Sequence, residues 1–399
     1  MASTINASTS SGIVQTADTS GVLQLQTAGT TGMAINASQQ VSFTNNISAP
    51  NTFGFKNRII NGGMVIDQRN AGANVTIPAA SYVFSVDRWK AYGTSASKFT
   101  IQQNANSVTP PSGFTNYIGV TSSAATTPAS TDQYFFGQLI EGYNISDIGM
   151  GTANAKSLTV SFWAYSSLTG TFTGALQTNT GSCPFSYTIS SANTWTYFTI
   201  ATNPNTGYSP SSTTNGGGLW VLFDLGSGSS IMGGVSGTWG NPYNGVSGAV
   251  KVVGTSGATF YITGVQLEVG TQATSFDFRD YGRELILCQR YYQQNTVPTS
   301  GLYGSNMGQI YASTNVQSTL QLPTSMRATP SASIIGTLNW TGGSAGNTTV
   351  NLSSFGTIYY TAPATVIGFI GTVASSQTGG YNWAMGSSAG GGYSLSAEL

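Results

Sequence analysis

In this chain of 399 residues, helical spacing of apolar side chains is confined to one short stretch. Between Tyr281 and Tyr292, the residues Tyr281, Leu285, Cys288 and Tyr292 recur at +4, +3 and +4, so all four share one stripe of a helix. Elsewhere the apolar residues come in short alternating or continuous runs broken by Gly, Pro, Ser and Asn. That is the texture of strands and tight turns, and it predicts an all-β protein with one helical joint. Asp280 is placed to cap the first helical turn, and Arg290 suits the negative C-terminal end. Phe260 to Val269 reads as a strand stopped by Gly270, so the joint is strand, polar turn, helix.

Composition then narrows the function. Charged residues make up 6% of the chain, against roughly 25% in ordinary soluble domains, while aromatic residues reach 11%. The 12 basic and 12 acidic side chains cancel, which removes the excess positive charge that nucleic acid or anionic lipid would require. No run approaches the ~20 apolar residues of a membrane-spanning helix, and residues 1–30 show neither the basic nor the apolar region of a secretory signal. Neither nucleic acid nor membrane insertion is expected. Histidine is absent, which excludes Ser-His-Asp and Cys-His catalysis. Cys183 and Cys288 make neither a disulfide framework nor, without histidine, a good metal site, and both read as unpaired structural thiols. Gly216-Gly217-Gly218 opens no helix, so it is not a phosphate-binding loop, and no cofactor is expected.

Several motifs carry a resemblance. VQLEVG (265–270), ATSFDFRDYGRELILCQRYYQ (273–293), NRIINGGMVIDQR (57–69), VDRW (86–89), LPTSMRATPS (322–331) and the final SLSAEL resemble sequences in bacteriophage tail-fibre and virion appendage proteins. In those proteins a jelly-roll module similar to carbohydrate-binding modules hands over, through such a helix, to a terminal β domain. The resemblance implies an N-terminal virion-attachment or shaft segment at 1–55, a central jelly-roll β-sandwich at 56–279, a short linking helix at 280–294 and a C-terminal β domain at 295–399, with the natural end at Leu399. It implies a virion structural protein, assembled in the host cytoplasm and placed on tail or head. The foremost expectation is a trimeric tail fibre that binds a host-surface polysaccharide or other receptor. The alternative is a capsid-decorating head fibre, or another structural appendage without receptor binding. Jelly rolls of this kind sometimes hold calcium, but no Asp-rich loop marks a metal site.

Along the chain, residues 1–20 lack periodicity and in isolation read as disordered. Leu23 and Leu25, Met33 and Ile35, Val41 and Phe43 then form mini-strands too short to stand alone. Copies intertwined about a threefold axis would cover them, and so would another virion protein bound through residues 1–50. In SLTVSFWAY, Leu158, Val160, Phe162 and Ala164 share the face that fits a sandwich core. Thr159, Ser161, Trp163 and Tyr165 share the other, which suits a subunit contact or a stacking platform. Residues 218–226 read as a central strand buried on both faces.

Candidate glycan contacts are Trp239 and Tyr243, on the long Gly/Ser-rich loop 226–249, and Tyr303, Trp340, Tyr381 and Trp383 in the C-terminal region. Each either stacks on a sugar ring or tucks into the fold. The sequence pairs Asp67 with Arg69, Asp87 with Arg88, and Asp277 and Asp280 with Arg279 and Arg283, which leaves Glu141, Asp147 and Asp224 without partners. No pair of carboxyls stands out for glycoside hydrolysis, so no enzyme is expected. A homotrimer is expected, its seam either the stripe Tyr281, Leu285, Cys288 and Tyr292 or, if that stripe packs on its own jelly roll, elsewhere.

Overall fold

The computed structural model describes residues 3–8, 12–16, 20–27, 29–43, 55–296, 301–312, 314–342, 348–359, 365–373, 380–387 and 390–399. Backbone packing divides the chain into two units, Met1–Gly54 and Phe55–Leu399. The protein is all-β, and Tyr281–Gln289 is the one α-helix among the described residues. That helix is too short to cross a membrane.

The first unit is a five-stranded sheet in the order Gly12–Thr16, Ser3–Ser8, Leu23–Thr27, Thr30–Ile35, Val41–Phe43. Ser3–Ser8 runs parallel to Leu23–Thr27, and the other neighbours are antiparallel. The first twenty residues therefore acquire two strands despite their lack of periodicity: Ser3–Ser8 pairs with Leu23–Thr27, and Gly12–Thr16 pairs in turn with Ser3–Ser8, so backbone groups find main-chain partners.

The second unit opens with a two-sheet sandwich. One sheet orders Thr196–Ala201, Leu158–Ser166, Thr259–Val269, Ile118–Ser122, Phe99–Gln103 and Val75–Thr76. The other orders Ser182–Ile189, Gly170–Gln177, Gly217–Asp224, Tyr134–Glu141, Lys90–Gly93 and Val83–Phe84. Alternation does the sorting. Val160, Phe162 and Ala164 from one sheet meet Leu219, Val221 and Phe223 from the other in a core that includes Trp89, Phe136 and Phe172. Gly217–Asp224 is central in its sheet, as its apolar run predicts, although Trp220 on its outer side is only half-buried. Cys183 lies on the strand Ser182–Ile189.

The helix starts as the sequence predicts, with the Asp280 carboxylate accepting from the Arg283 N–H at 2.9 Å. It is shorter than 280–294, because Tyr292–Thr296 is already a strand paired with Gly392–Ser396. Cys288 and Tyr291 pack against Ile60 and Ile66 of the same chain, with Leu285 alongside, and Tyr292 is also buried. The expected seam stripe is thus spent inside the chain, apart from Tyr281, which is exposed. Packing Leu285 and Cys288 against Ile60 and Ile66 removes that apolar surface from water within one chain.

Gly392–Ser396 lies between Tyr292–Thr296 and Ser331–Ile335 in a three-stranded sheet. The remaining strands close a barrel in the order Gly301–Ala312, Asn315–Gln321, Val366–Val373, Thr348–Tyr359, Leu338–Gly342, Gly380–Ser387. Val316, Leu320, Ile367 and Phe369 belong to the same core cluster as Tyr393 and Leu395 of the small sheet.

Candidate functional site

The outer face of the first sandwich sheet carries an aromatic groove. Strand register sets its layout: Trp163 stands opposite Tyr197 and Thr263, and Ser161 opposite Thr199 and Gln266. The Trp163 and Tyr197 ring centroids are 5.3 Å apart with planes inclined at 45°. Tyr197 is 42% exposed, and Trp163 is half-buried. One step along the sheet, Tyr165 and Tyr261 stack at 5.2 Å and 7°. That second row is locked, since the Asn106 side-chain amide donates to the Tyr261 hydroxyl at 2.5 Å and the Trp195 indole N–H donates to the Thr109 carbonyl at 2.8 Å.

A wall rises beside the Trp163–Tyr197 pair from the turn after Thr259–Val269. Glu268 is fully buried, and its two carboxylate oxygens accept from the Thr274 N–H at 2.8 Å and the Thr274 hydroxyl at 2.7 Å. Gln266, also buried, accepts from the Asp277 N–H at 2.9 Å. These bonds pin the turn onto the sheet and bring Phe276 edge-on to Phe114, with centroids 5.1 Å apart. The result is a groove of about 350 Å³ lined by Phe114, Ser161, Trp163, Tyr197, Thr199, Gly264 and the 273–276 turn. No charged side chain is among the lining residues. Aromatic faces beside hydroxyls suit a ring that is apolar on one face and hydroxylated at its rim.

Of the aromatic residues singled out from sequence, Trp239 packs against the sandwich core and its indole N–H donates to the Asn203 carbonyl at 3.0 Å. The ring of Tyr243 packs closely over Gly233 of its own loop, about 3.0 Å from where a Cβ would sit. Trp239 is folded onto the sandwich, and Tyr243 is folded onto its own loop. Tyr303, Trp340, Tyr381 and Trp383 fall on barrel strands, and their side chains lie outside the described residues. Trp163 and Ser161 were legible as an outward face. Tyr197, Thr199, Phe114 and the 273–276 wall were not, although alternation in TYFTIA already places Tyr197 and Thr199 together.

The motif charges form struts within the fold, and apart from Asp277 with Arg279 their pairing differs from the sequence expectation. Arg69 and Arg88 both meet Glu398, Arg69 at 2.7 Å, in place of Asp67 and Asp87. Asp67 instead accepts from the N–H groups of Asn70 and Gly72, and Asp87 accepts from Gln68. Asp147 pairs with Arg58 at 2.8 Å and Glu141 with Arg290 at 2.6 Å. Arg279 lies 3.6 Å from Asp277 and 3.3 Å from Glu284, while Asp280 serves as the helix cap. Asp224 accepts from Gly226 and Ser227. The arginines of the first motifs reach the chain terminus at Glu398, while the nearby carboxylates are used up by local backbone N–H groups and by Gln68.

Burial raises the Asp87 carboxyl to about 7 and that of Asp224 to about 6, against the lowering effect of their hydrogen bonds. Neither is a groove residue. Among the described residues no cluster of His, Cys, Asp and Glu is arranged to hold a metal ion.

No family model and no curated protein matches this sequence. Among solved structures, the enzymatically active domain of tailspike protein 4 from bacteriophage CBA120 is similar at 14% identity and a TM-score of 0.27, over 54% of this chain and 21% of that one. The similarity thus spans about a fifth of the tailspike chain. A CBM4 structure is similar at 16% identity and a TM-score of 0.26, over 53% of this chain and 98% of its own. A family 11 carbohydrate-binding module from Clostridium thermocellum, in complex with a β-1,3-1,4-mixed-linked tetrasaccharide, is similar at 13% identity and a TM-score of 0.25, over 51% and 100%.

Proposed function

We propose that this chain is a bacteriophage virion appendage, a trimeric tail fibre, that binds a neutral host-surface polysaccharide in the groove between Trp163, Tyr197 and the 273–276 wall. The observation that carries the binding role is the exposed Tyr197 ring beside the half-buried Trp163 ring, with Ser161 and Thr199, in a pinned groove whose lining has no charge. The virion assignment draws on the sequence motifs at 57–69, 86–89 and 265–293. The groove binds without cleaving, since glycoside hydrolysis needs two carboxyls flanking the scissile bond and its lining supplies none.

The test is titration of the purified full chain with neutral capsular and O-antigen polysaccharides of candidate hosts. Trp163→Ala is expected to weaken binding roughly ten- to a hundredfold while leaving thermal unfolding within a few degrees of the parent. A variant that binds as well as the parent overturns the site. Competition with phage adsorption tests the tail-fibre role. Gold-labelled antibody on heads alone would move the assignment to a capsid-decorating fibre.

A further inference from the structure

We infer that the cavity adjoining the groove is a second sugar-binding site, one that takes the acetamido group of an N-acetylated hexosamine. This rests on the glycan reading above for the class of ligand, and it names a substituent that the polymer carries.

The cavity holds about 130 Å³ and adjoins the groove because Phe114 and Phe276 line both. Phe278 completes a triad of rings there, its centroid 4.8 Å from that of Phe276 and 5.3 Å from that of Phe114. Phe278 is 63% exposed, so the triad is an apolar patch with surface left for a ligand to cover. A Cβ at Gly63 would lie 3.9 Å from the rings of both Phe114 and Phe276. Glycine there leaves the space in front of the rings open.

The polar part of the lining selects the ligand. Arg279 is already committed: Nη1 donates to the Ile59 carbonyl at 3.0 Å and lies 3.3 Å from Glu284, and Nη2 donates to the Asn57 carbonyl at 2.5 Å. Glu284 accepts in turn from the Asn61 N–H. An anionic sugar therefore finds no unpaired cation in the lining. Asp277 differs. Its carboxylate is a third exposed, lies 3.6 Å from Arg279, and has no hydrogen-bond partner among the described residues.

An ionised carboxylate only accepts, so the complementary group is an N–H donor carrying a small apolar end. At ~30 Å³ for each water-sized atom, the cavity takes about four of them. An acetamido group has that size and both properties. Its methyl lies against the rings, its N–H points at Asp277 and its carbonyl oxygen stays in water at the mouth. A hydroxyl at the same sugar carbon is too short to reach the rings. An ammonium would meet Asp277 with Arg279 beside it and would bring no methyl to the rings.

The test is NMR titration of the full chain, at millimolar ligand, with the methyl glycosides of N-acetylglucosamine and N-acetylgalactosamine and with those of glucose, galactose and glucosamine. At least one acetamido glycoside is expected to bind roughly tenfold tighter than its hydroxyl counterpart, with saturation transfer strongest at the acetyl methyl. Phe278→Ala removes an exposed ring, and Gly63→Ala puts a methyl where that of the ligand sits. Each should bring the ratio below about threefold while the thermal transition stays near that of the parent. Acetamido and hydroxyl glycosides that bind alike, or do not bind at all, overturn the proposal. So does a preference that survives Phe278→Ala, or an amine that binds best, which would make the cavity a cation site. If the acetamido preference behaves as described while Trp163→Ala leaves polysaccharide binding intact, the groove reading falls and this one stands. If Trp163→Ala weakens polysaccharide binding and no acetamido preference exists, the reverse holds.

Discussion

Arg290 embraces Glu141. Its Nη2 lies 2.6 Å from one carboxylate oxygen and its Nε 3.1 Å from the other, and the Tyr291 hydroxyl donates to that second oxygen at 2.5 Å. Glu141 ends a strand of the second sandwich sheet and is 1% exposed, while Arg290 follows the helix directly. The pair fastens the helical joint to the sandwich. Arg290→Met leaves a buried carboxylate without its cation and is expected to cost about 3 kcal/mol in urea unfolding. Glu141→Gln combined with Arg290→Met should recover most of that loss, because a replaced pair costs far less than a broken one. A single-variant cost below ~1 kcal/mol would show the pair to be solvated.

The Asp87 carboxyl sets a pH dependence of opposite sign to that of a typical paired acid. Burial holds it at about 7 in the folded chain, above its ordinary value of 3.8. Between those two values the folded state binds more proton than the unfolded state, so this group's contribution to stability falls as pH rises through the window. Asp224, held at about 6, acts in the same direction. Calorimetry should find the melting temperature higher at pH 5 than at pH 8, with Asp87→Asn flattening much of that slope. A melting temperature that climbs steadily from pH 5 to pH 8 in the parent would contradict the assignment.

The two thiols test burial directly. Cys183 sits in the sandwich core with its thiol pushed up to about 12 by desolvation, and burial raises Cys288 well above its ordinary value. Neither should react with a thiol reagent at pH 8 in the native chain, and both should react in guanidinium. Fast native labelling of Cys288 would mean that the helix does not pack on Ile60 and Ile66 as described.

How far the sequence reads ahead depends on whether a feature is local. The alternation in Leu158–Ser166, the cap at Asp280 and the helix start are local, and each is found where the residues put it. Glu141 looked unpaired because its partner is 149 residues away, and Arg69 looked committed to Asp67 because Glu398 is 329 residues away. The groove escaped for the same reason. It needs the register of Leu158–Ser166 against both Thr196–Ala201 and Thr259–Val269, which no single-strand pattern specifies. Tyr292 was misread because period-3.6 spacing continues past the residue where pairing with Gly392–Ser396 claims the backbone.

Within the groove, a graded series separates stacking from hydrogen bonding. Tyr197→Phe keeps the ring and removes the hydroxyl, so it should retain affinity within about threefold, whereas Tyr197→Ala should lose roughly tenfold or more. Thr199→Val, nearly equal in size, should lose less than Tyr197→Ala. If Phe and Ala at position 197 bind alike, the ring does not contact the sugar.

Gly264 links the sheet to the wall. Between the paired positions Ser161–Gln266 and Trp163–Thr263 the register slips, so Gly264 and Val265 together oppose Phe162 in a bulge. Gly264 has φ of +63°, and a Cβ there would lie 2.6 Å from Cζ of Phe114. Gly264→Ala therefore meets two penalties, left-handed backbone strain of about 1 kcal/mol and a collision with a groove-wall ring. The bulge also turns Gln266 and Glu268 outward to hold the 273–276 turn, so displacing Phe114 moves one side of the groove while Trp163 and Tyr197 keep their places. The expected outcome is a chain less stable by about 1–3 kcal/mol that still folds, with weakened sugar binding. Phe114→Ala in the same background removes the collision and should restore part of the stability but not the binding. If Gly264→Ala leaves binding intact, Phe114 takes no part in the site, and the groove reduces to the two rings on the sheet.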